Sequence, residues 1–191
     1  MARGNQVRII GGRHRGRRLT FPAVADLRPT ADRLRETLFN WLQGELPGAR
    51  CLDLFAGSGA LGFEALSRGA AYVELVERVP AVARQLRQNL ARLEDGDQAR
   101  VIQRDALRWL QRPPQTPFDL VFLDPPFKLD LLGTLSERLE AGGWLAPRAW
   151  IYMEQPSHRP WFDLPPGWHL HRRAQAGQAN CRLIRRQGTV C

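Results

Sequence analysis

The stretch DLFAGSGALG, which starts at Asp53, contains the residue types that a nucleoside-bearing cofactor needs. Gly57, Gly59 and Gly62 fit the pattern G-x-G-x-x-G, in which glycines let the backbone approach a ligand closely. Glu77 follows Gly57 by twenty residues, where an acid that binds ribose hydroxyls is expected. The pattern predicts a nucleoside-binding loop and, taken alone, favours a nicotinamide dinucleotide.

The charge just before this loop distinguishes between cofactors. The carboxylate of Asp53 would repel the pyrophosphate of a dinucleotide, whereas S-adenosylmethionine carries a sulfonium and an ammonium that a carboxylate attracts. We therefore predict S-adenosylmethionine. Asp105, at the end of VIQRD, is placed to accept a hydrogen bond from an adenine amino group, and it is equally suited to cap the short helix ALRWL.

A second motif ends the apolar run FDLVFLDPPF with an acid and two prolines. Because each proline fixes φ and restricts the residue before it, this loop can hold the carboxylate of Asp124 and the carbonyl of Pro125 side by side. Two such acceptors would accept hydrogen bonds from both N–H groups of an exocyclic base amine and favour its reactive, pyramidal geometry. Phe127 offers a ring for base stacking, which is worth about 1–3 kcal/mol. We predict that Asp124, Pro125, Pro126 and Phe127 are catalytic, although Asp-Pro is also common in ordinary turns.

The elements around these motifs alternate between apolar runs and helical patterns from residue 50 onward. They read CLDLF, ALGFEALSRG, AYVELVE, PAVARQLRQNLARL, ARVIQRD, ALRWL, FDLVFLD, LDLLGTLSERLE and AWIYME. This order predicts an α/β fold with a parallel sheet and helices on both faces, so that the acids after the strands meet at one edge. The later stretch WHLHRRAQAGQANCRLIRR predicts an antiparallel hairpin that turns near Gly177.

The N-terminal part is basic. QVRIIGGRHRGRRLTF predicts a hairpin around Gly11 and Gly12, and RPTADRLRETLFNWLQGEL predicts a helix that Thr30 can cap. Guanidinium groups pair readily with phosphate, so we predict nucleic-acid contact through the hairpin. The arginines concerned are Arg13, Arg15, Arg17 and Arg18.

Composition limits the remaining possibilities. The 191 residues, 43% of them hydrophobic, suffice for one domain, and the net charge of +9 comes almost entirely from arginine, because Lys128 is the only lysine. Such a charge favours a polyanionic partner. The three cysteines form no CxxC pair, and His169 and His171 lack a third ligand nearby, so we predict neither a disulfide framework nor a metal site. Without a signal peptide or a membrane-spanning run, we expect a soluble, cytoplasmic protein.

These motifs together resemble the class I S-adenosylmethionine-dependent methyltransferases, and more narrowly the RsmD family of bacterial 16S rRNA guanine-N2 methyltransferases. The similarity covers nearly the whole chain. It includes the stretches RIIGGRHRGRRL, LRPTADRLRETLFNWL, DLFAGSGALGFEALSRGA, FLDPPF, GWLAP, IYME and AGQANCRL.

The resemblance implies a Rossmann-like core with a seven-stranded, mostly parallel sheet. It divides the single domain 1–191 into a basic hairpin (1–25), a lid helix (26–46) and the core (47–191). It implies that the substrate is 16S rRNA in the small ribosomal subunit or its assembly intermediate, and that the protein acts as a monomer. The lid adds RNA contacts at Arg28 and Arg33. The implied cofactor contacts are Thr30, Asp53, Phe55, Gly57, Gly59, Glu77, Asp105 and Ala106.

Three alternatives stay open at this point. An adenine-N6 methyltransferase that acts on DNA would use the same D-P-P-F loop, because that loop suits any exocyclic amine. A nicotinamide-dependent oxidoreductase would use the glycine loop and Glu77, but it would leave the D-P-P-F loop and the arginine hairpin without a function. A non-catalytic RNA-binding assembly factor would retain the fold but not the methyltransferase activity.

Overall fold

The computed structural model describes residues 5–23 and 32–188. Within these ranges, strands and helices alternate as the sequence predicts. In chain order the elements are β1 (Asn5–Arg8), β2 (Arg18–Phe21), α1 (Asp32–Trp41), β3 (Arg50–Asp53), α2 (Ala60–Ser67), β4 (Tyr72–Glu77), α3 (Pro80–Leu93), β5 (Ala99–Gln103), α4 (Ala106–Trp109), β6 (Phe118–Leu123), α5 (Leu132–Ala141), β7 (Leu145–Pro156), β8 (Trp168–Ala176) and β9 (Ala179–Arg186).

The central sheet has seven strands in the order β5-β4-β3-β6-β7-β9-β8. β5, β4, β3, β6 and β7 pair in parallel, and β9 pairs antiparallel with both β7 and β8. The predicted seven-stranded, mostly parallel sheet with a terminal hairpin is therefore confirmed. After β3 the chain continues to β4 on one side and later returns to β6 on the other, which opens a crevice at the carboxyl ends of β3 and β6.

Helices cover both faces of the sheet, as predicted. One apolar core lies between the sheet and α1, α2, α3 and the N-terminal hairpin, and a second core lies between the sheet and α4 and α5. Helix α3 shows how the sequence determines this packing. It begins at Pro80, a favourable first-turn residue, and buries Val82, Leu86, Leu90 and Leu93 at helical spacing.

The β1–β2 hairpin is docked on the core through α2. Every residue of α2 is buried, because the hairpin covers the side that faces away from the sheet. Glu64, which is fully buried, accepts hydrogen bonds from the backbone N–H groups of Ile10 (2.7 Å) and Gly11 (2.8 Å). Ser67 adds a hydrogen bond to the carbonyl of Gly11 (2.5 Å) and accepts one from the N–H of His14 (2.9 Å). These bonds fix the position of the basic loop relative to the sheet.

No helix in the described ranges is long and apolar enough to cross a membrane.

Candidate active site

The glycine loop between β3 and α2 has the backbone that close approach of a ligand requires. Gly57 (φ 49°) and Gly59 (φ 80°) adopt left-handed conformations that other residues rarely take. A Cβ on Gly59 would lie 2.4 Å from the ring of Phe63, and a Cβ on Gly62 would lie 2.3 Å from Leu75. The glycines therefore shape the loop and let α2 pack tightly on the sheet.

Asp53 lies beneath this loop. Its carboxylate is 1% exposed and accepts hydrogen bonds from the backbone N–H groups of Gly62 (3.1 Å) and Phe55 (3.4 Å). Burial raises the pKa of Asp53 to about 7, and the two backbone hydrogen bonds oppose part of that rise. The side chain thus organises the loop from below, and its contact with the cofactor remains a prediction.

Glu77 joins the glycine loop to the start of α3. One carboxylate oxygen accepts a hydrogen bond from the N–H of Gly57 (3.1 Å), and the other accepts one from the N–H of Val79 (2.7 Å). The residue ends β4, next to β3 in the sheet. This position, beside the loop and at the carboxyl edge, is the one that the spacing of twenty residues predicts for a ribose-binding acid.

Asp105 caps α4, because its carboxylate accepts a hydrogen bond from the N–H of Arg108 (3.1 Å). The predicted capping function is confirmed, and the cofactor function remains a prediction. Ala106 follows it as the first, buried residue of α4. A cavity beside this turn is lined by three arginines spaced four residues apart, a cluster that the sequence analysis missed although its spacing is visible there. Its lining residues are Gln103, Arg104, Asp105, Arg108, Gln111 and Arg112.

The D-P-P-F loop follows β6, next to β3 in the sheet, so it lies on the same edge as the glycine loop. Asp124 is partly exposed, Pro125 is buried and Pro126 is partly exposed. Phe127 is 36% exposed, which is unusual for so large an apolar side chain and leaves its ring available for stacking. The structure brings together a carboxylate, a rigid backbone and an exposed aromatic ring, as the sequence predicts.

Arg159 holds this loop in place from the segment that follows β7. Its guanidinium donates hydrogen bonds to the carbonyls of Phe127 (2.9 Å) and Leu129 (3.0 Å), and it lies 3.6 Å from the carboxylate of Asp130. Sequence reasoning missed this residue, since no local pattern distinguishes it from the other arginines. Three contacts from one planar group explain how a proline-stiffened loop is also fixed at its far end.

The hairpin arginines divide into two groups. Arg13 forms an ion pair with Asp95 (2.9 Å), and Arg17 donates to the carbonyl of Arg92 (2.8 Å), so both also attach the hairpin to the end of α3. All four arginines are exposed, and among them only Arg18 lies in a strand, at the start of β2. The contacts of Arg13 and Arg17 attach the hairpin without burying these side chains, and RNA contact by all four arginines remains a prediction.

Two predicted residues, Arg28 and Thr30, lie outside the residues that the structure describes. Arg33 lies in the first turn of α1 and is exposed. Residues 34–39 continue this helix across the face of the sheet that carries Phe122, whose ring lies 6.1 Å from that of Phe39. The described part of the predicted lid helix is thus α1, which ends at Trp41, before the predicted end at residue 46.

A glycine loop after β3, an acid at the end of β4 and a D-P-P-F loop after β6, on a sheet of this order, define a class I methyltransferase. The family model described as conserved hypothetical protein 95 matches residues 7–185, and the chain belongs to this family, the RsmD family.

Known relatives agree over almost the full length. The chain is 50% identical over 182 residues to ribosomal RNA small subunit methyltransferase D of Escherichia coli strain K12, covering 95% of this chain and 91% of the relative. It is 45% identical over 180 residues to the protein of the same name from Haemophilus influenzae, covering 93% of each. The solved structure of yhhF from Escherichia coli superposes with a TM-score of 0.89 at 49% identity, covering 97% of this chain and 100% of the other.

Proposed function

We propose that this protein transfers a methyl group from S-adenosylmethionine to the N2 amine of a guanine in 16S rRNA of the small ribosomal subunit. The main support is the position of the Asp124–Phe127 loop beside the glycine loop. The chain that carries this arrangement is 50% identical to a protein named as a small-subunit rRNA methyltransferase. The target within that subunit, guanine N2, is inferred from the resemblance of the whole chain to its family.

The residues at the crevice suit S-adenosylmethionine. The left-handed glycines admit its backbone contacts, Glu77 offers a carboxylate to ribose hydroxyls, and Asp105 and Ala106 border the adenine. We place Phe55, Gly57 and Gly59 in contact with the cofactor and Asp53 behind them. When bound, S-adenosylmethionine supplies an already activated methyl group on a positively charged sulfur, so the protein contributes mainly positioning.

The Asp124 loop handles the target amine. Phe127 stacks on the guanine, and the carboxylate of Asp124 with the carbonyl of Pro125 accepts hydrogen bonds from the two N2 protons. The amine must lose one proton as its new N–C bond forms, and Asp124 is the proton acceptor that this chain offers there. Pro126 keeps the loop stiff, and Arg159 fixes its far end.

We place the RNA backbone against the basic hairpin and the first turn of α1. Arg15, Arg18 and Arg33 are exposed, and Arg13 is still 44% exposed while paired with Asp95. Arg17 and Arg28 extend this set in the sequence. We further propose that a cytoplasmic monomer acts on the assembled subunit or on an assembly intermediate. Because these contacts are to phosphates, RNA affinity should fall steeply as salt rises.

The D-P-P-F loop would also accept adenine N6, so the product must be identified directly. The protein is incubated with isotopically labelled S-adenosylmethionine and undermethylated small ribosomal subunits, the RNA is digested, and the labelled nucleoside is identified by mass spectrometry. We expect labelled N2-methylguanosine. Label in N6-methyladenosine, or no label despite measured cofactor binding, would overturn the proposal.

Glu77 gives a test of the cofactor site. We expect Glu77→Gln to weaken S-adenosylmethionine binding at least about 10-fold. The glutamine amide has only one acceptor oxygen, so it cannot accept from both Gly57 and Val79, and it lacks the negative charge that strengthens hydrogen bonds from the ribose hydroxyls. Glu74→Gln is the matched control, since Glu74 lies in the same strand, is also buried and is bonded to Tyr72 rather than to the loop. Titration calorimetry measures both. Equal affinities for the two variants would remove Glu77 from the cofactor site.

A further inference from the structure

The last residues of β7 extend past the end of β6 and lie beside the Asp124 loop. β6 ends at Leu123, whereas β7 continues to Pro156 and remains paired with β9 over its last residues. Glu154 lies in this extension, opposite Cys181 of β9. The function proposed above makes no use of Glu154.

The register of the sheet places Glu154 next to Asp124. Phe122 pairs with Tyr152 and Leu123 with Met153, and Asp124 is the first residue after β6, so continuing this register by one step puts Asp124 level with Glu154. Side chains two residues apart lie on the same face of a strand, so Glu154 projects from the face that Tyr152 occupies. Asp124 is close to this face, because its charge contributes to the raised pKa of Tyr152. Neighbouring strands are about 4.8 Å apart. Two carboxylates therefore stand side by side where the target amine is expected.

Glu154 is a buried acid with few hydrogen-bond donors around its carboxylate. It is 4% exposed and accepts a hydrogen bond from the Tyr152 hydroxyl (2.7 Å), and among the described residues no cation pairs with it. Burial raises the pKa of Glu154, and the Tyr152 hydrogen bond opposes part of that rise. Burial also raises the pKa of Tyr152, with further contributions from the charges of Glu154, Cys181 and Asp124. A carboxylate accepts several hydrogen bonds, so a buried one with a single donor gains from a second.

Guanine supplies such a donor beside its reactive amine. Its N1 carries a hydrogen and is bonded to the carbon that bears the N2 amine. In adenine the ring nitrogen next to the N6 amine has a lone pair instead. A carboxylate beside Asp124 would therefore accept a hydrogen bond from guanine and repel adenine, in the way that enzymes read the Watson–Crick edge of an extruded base.

We propose that Glu154 selects guanine by accepting a hydrogen bond from N1–H while Asp124 holds the N2 amine. This inference rests on the proposed function, and it assigns base discrimination to a residue separate from the D-P-P-F loop. The Tyr152 hydroxyl positions the Glu154 carboxylate and does not touch the base.

The test uses RNA in which 2-aminopurine replaces the guanine that the labelling experiment identifies. 2-Aminopurine keeps the exocyclic N2 amine but presents a lone pair at N1. The wild-type protein should therefore methylate it about 100-fold less efficiently than guanine, because two acceptors would face each other. Affinity for the two RNAs, measured without cofactor by the fluorescence of 2-aminopurine and by competition with guanine RNA, should differ in the same direction.

Glu154→Gln should reduce this preference at least about 10-fold, since an amide can either accept from guanine N1–H or donate to the bare N1 of 2-aminopurine. Tyr152→Phe is the matched control. It removes the hydroxyl that donates to Glu154 but leaves the carboxylate, so it should preserve most of the preference for guanine. Thermal unfolding and S-adenosylmethionine affinity confirm that both variants remain folded.

Two results would overturn the assignment of Glu154. One is an unchanged guanine preference in Glu154→Gln, and the other is an equal loss of preference in both variants, which would show that only the Tyr152–Glu154 bond matters. Failure of the proposed function is recognised separately, because the wild-type protein would then not methylate the guanine RNA at all.

Discussion

Replacing Asp124 with alanine should abolish methyl transfer while S-adenosylmethionine still binds. Asp124 follows β6, whereas the glycine loop and Glu77 that we assign to the cofactor follow β3 and β4. The substitution removes a carboxylate that has two functions, because Asp124 both orients the amine as a hydrogen-bond acceptor and takes its proton. Each effect is typically worth about 100-fold or more, so we expect kcat to fall at least about 1000-fold. Single-turnover transfer to the small subunit and calorimetry of cofactor binding measure the two quantities separately.

Asp130→Ala is the matched control for this experiment. It removes the same kind of side chain from the same loop, but Asp130 is exposed and lies 3.6 Å from Arg159, beyond the range of a short ion pair. Its removal should leave kcat nearly unchanged. Wild-type turnover in Asp124→Ala would exclude Asp124 from the mechanism, and an equal loss in both variants would show that only the shape of the loop matters.

Local patterns predicted the elements and the edge at which the acids meet. The bounds predicted for α3, from Pro80 to Leu93, agree with the structure because its first-turn proline and its apolar stripe lie in consecutive sequence. The same holds for the Asp105 cap of α4. Because the carboxyl ends of parallel strands lie at the same edge of the sheet, the order of strands and helices was enough to predict that Asp124 lies next to the glycine loop.

Contacts between distant residues could not be predicted in this way. Glu64 appears in the sequence as an ordinary helical acid, yet its carboxylate holds backbone groups 53 and 54 positions away. Asp95 likewise neutralises part of the charge on Arg13, from 82 residues further along the chain. Both partners become visible only when the hairpin is placed on α2 and α3.

The acids of the site illustrate the same limit. The sequence places Asp53 and Glu77 after strands, but it does not show that Asp53 turns under the loop and is 1% exposed while Glu77 bonds to Gly57. Glu154 was overlooked although it is the last residue of the predicted strand AWIYME. It becomes a neighbour of Asp124 only through the register of β6 with β7. Strand register depends on pairing across the sheet, which local sequence patterns do not specify.

Replacing Gly12 should have a second large effect, on stability and RNA binding, because this residue lies where the hairpin contacts α2. We expect Gly12→Ala to displace the basic loop. Its φ of 74° is left-handed, and a Cβ there would lie 1.8 Å from the carbonyl oxygen of Ser67, a backbone atom that cannot rotate away. That carbonyl also accepts the hydrogen bond from the N–H of Arg13 (2.8 Å), and the Ser67 hydroxyl accepts the one from His14. The clash therefore separates the hairpin from α2.

Gly16→Ala separates this clash from ordinary backbone strain. Gly16 has a similar φ of 86°, but nothing lies within 4 Å of its Cβ position, so its replacement should cost only the left-handed strain of about 1–2 kcal/mol. Gly12→Ala should cost at least about 2 kcal/mol more in the free energy of unfolding, measured by urea denaturation. If the docked hairpin holds the RNA, Gly12→Ala should also raise the KM for small subunits at least about 10-fold, with cofactor affinity little changed. Equal KM values for the two variants would show that RNA binding does not depend on the docked hairpin, because the two substitutions differ chiefly in whether the loop can remain on α2.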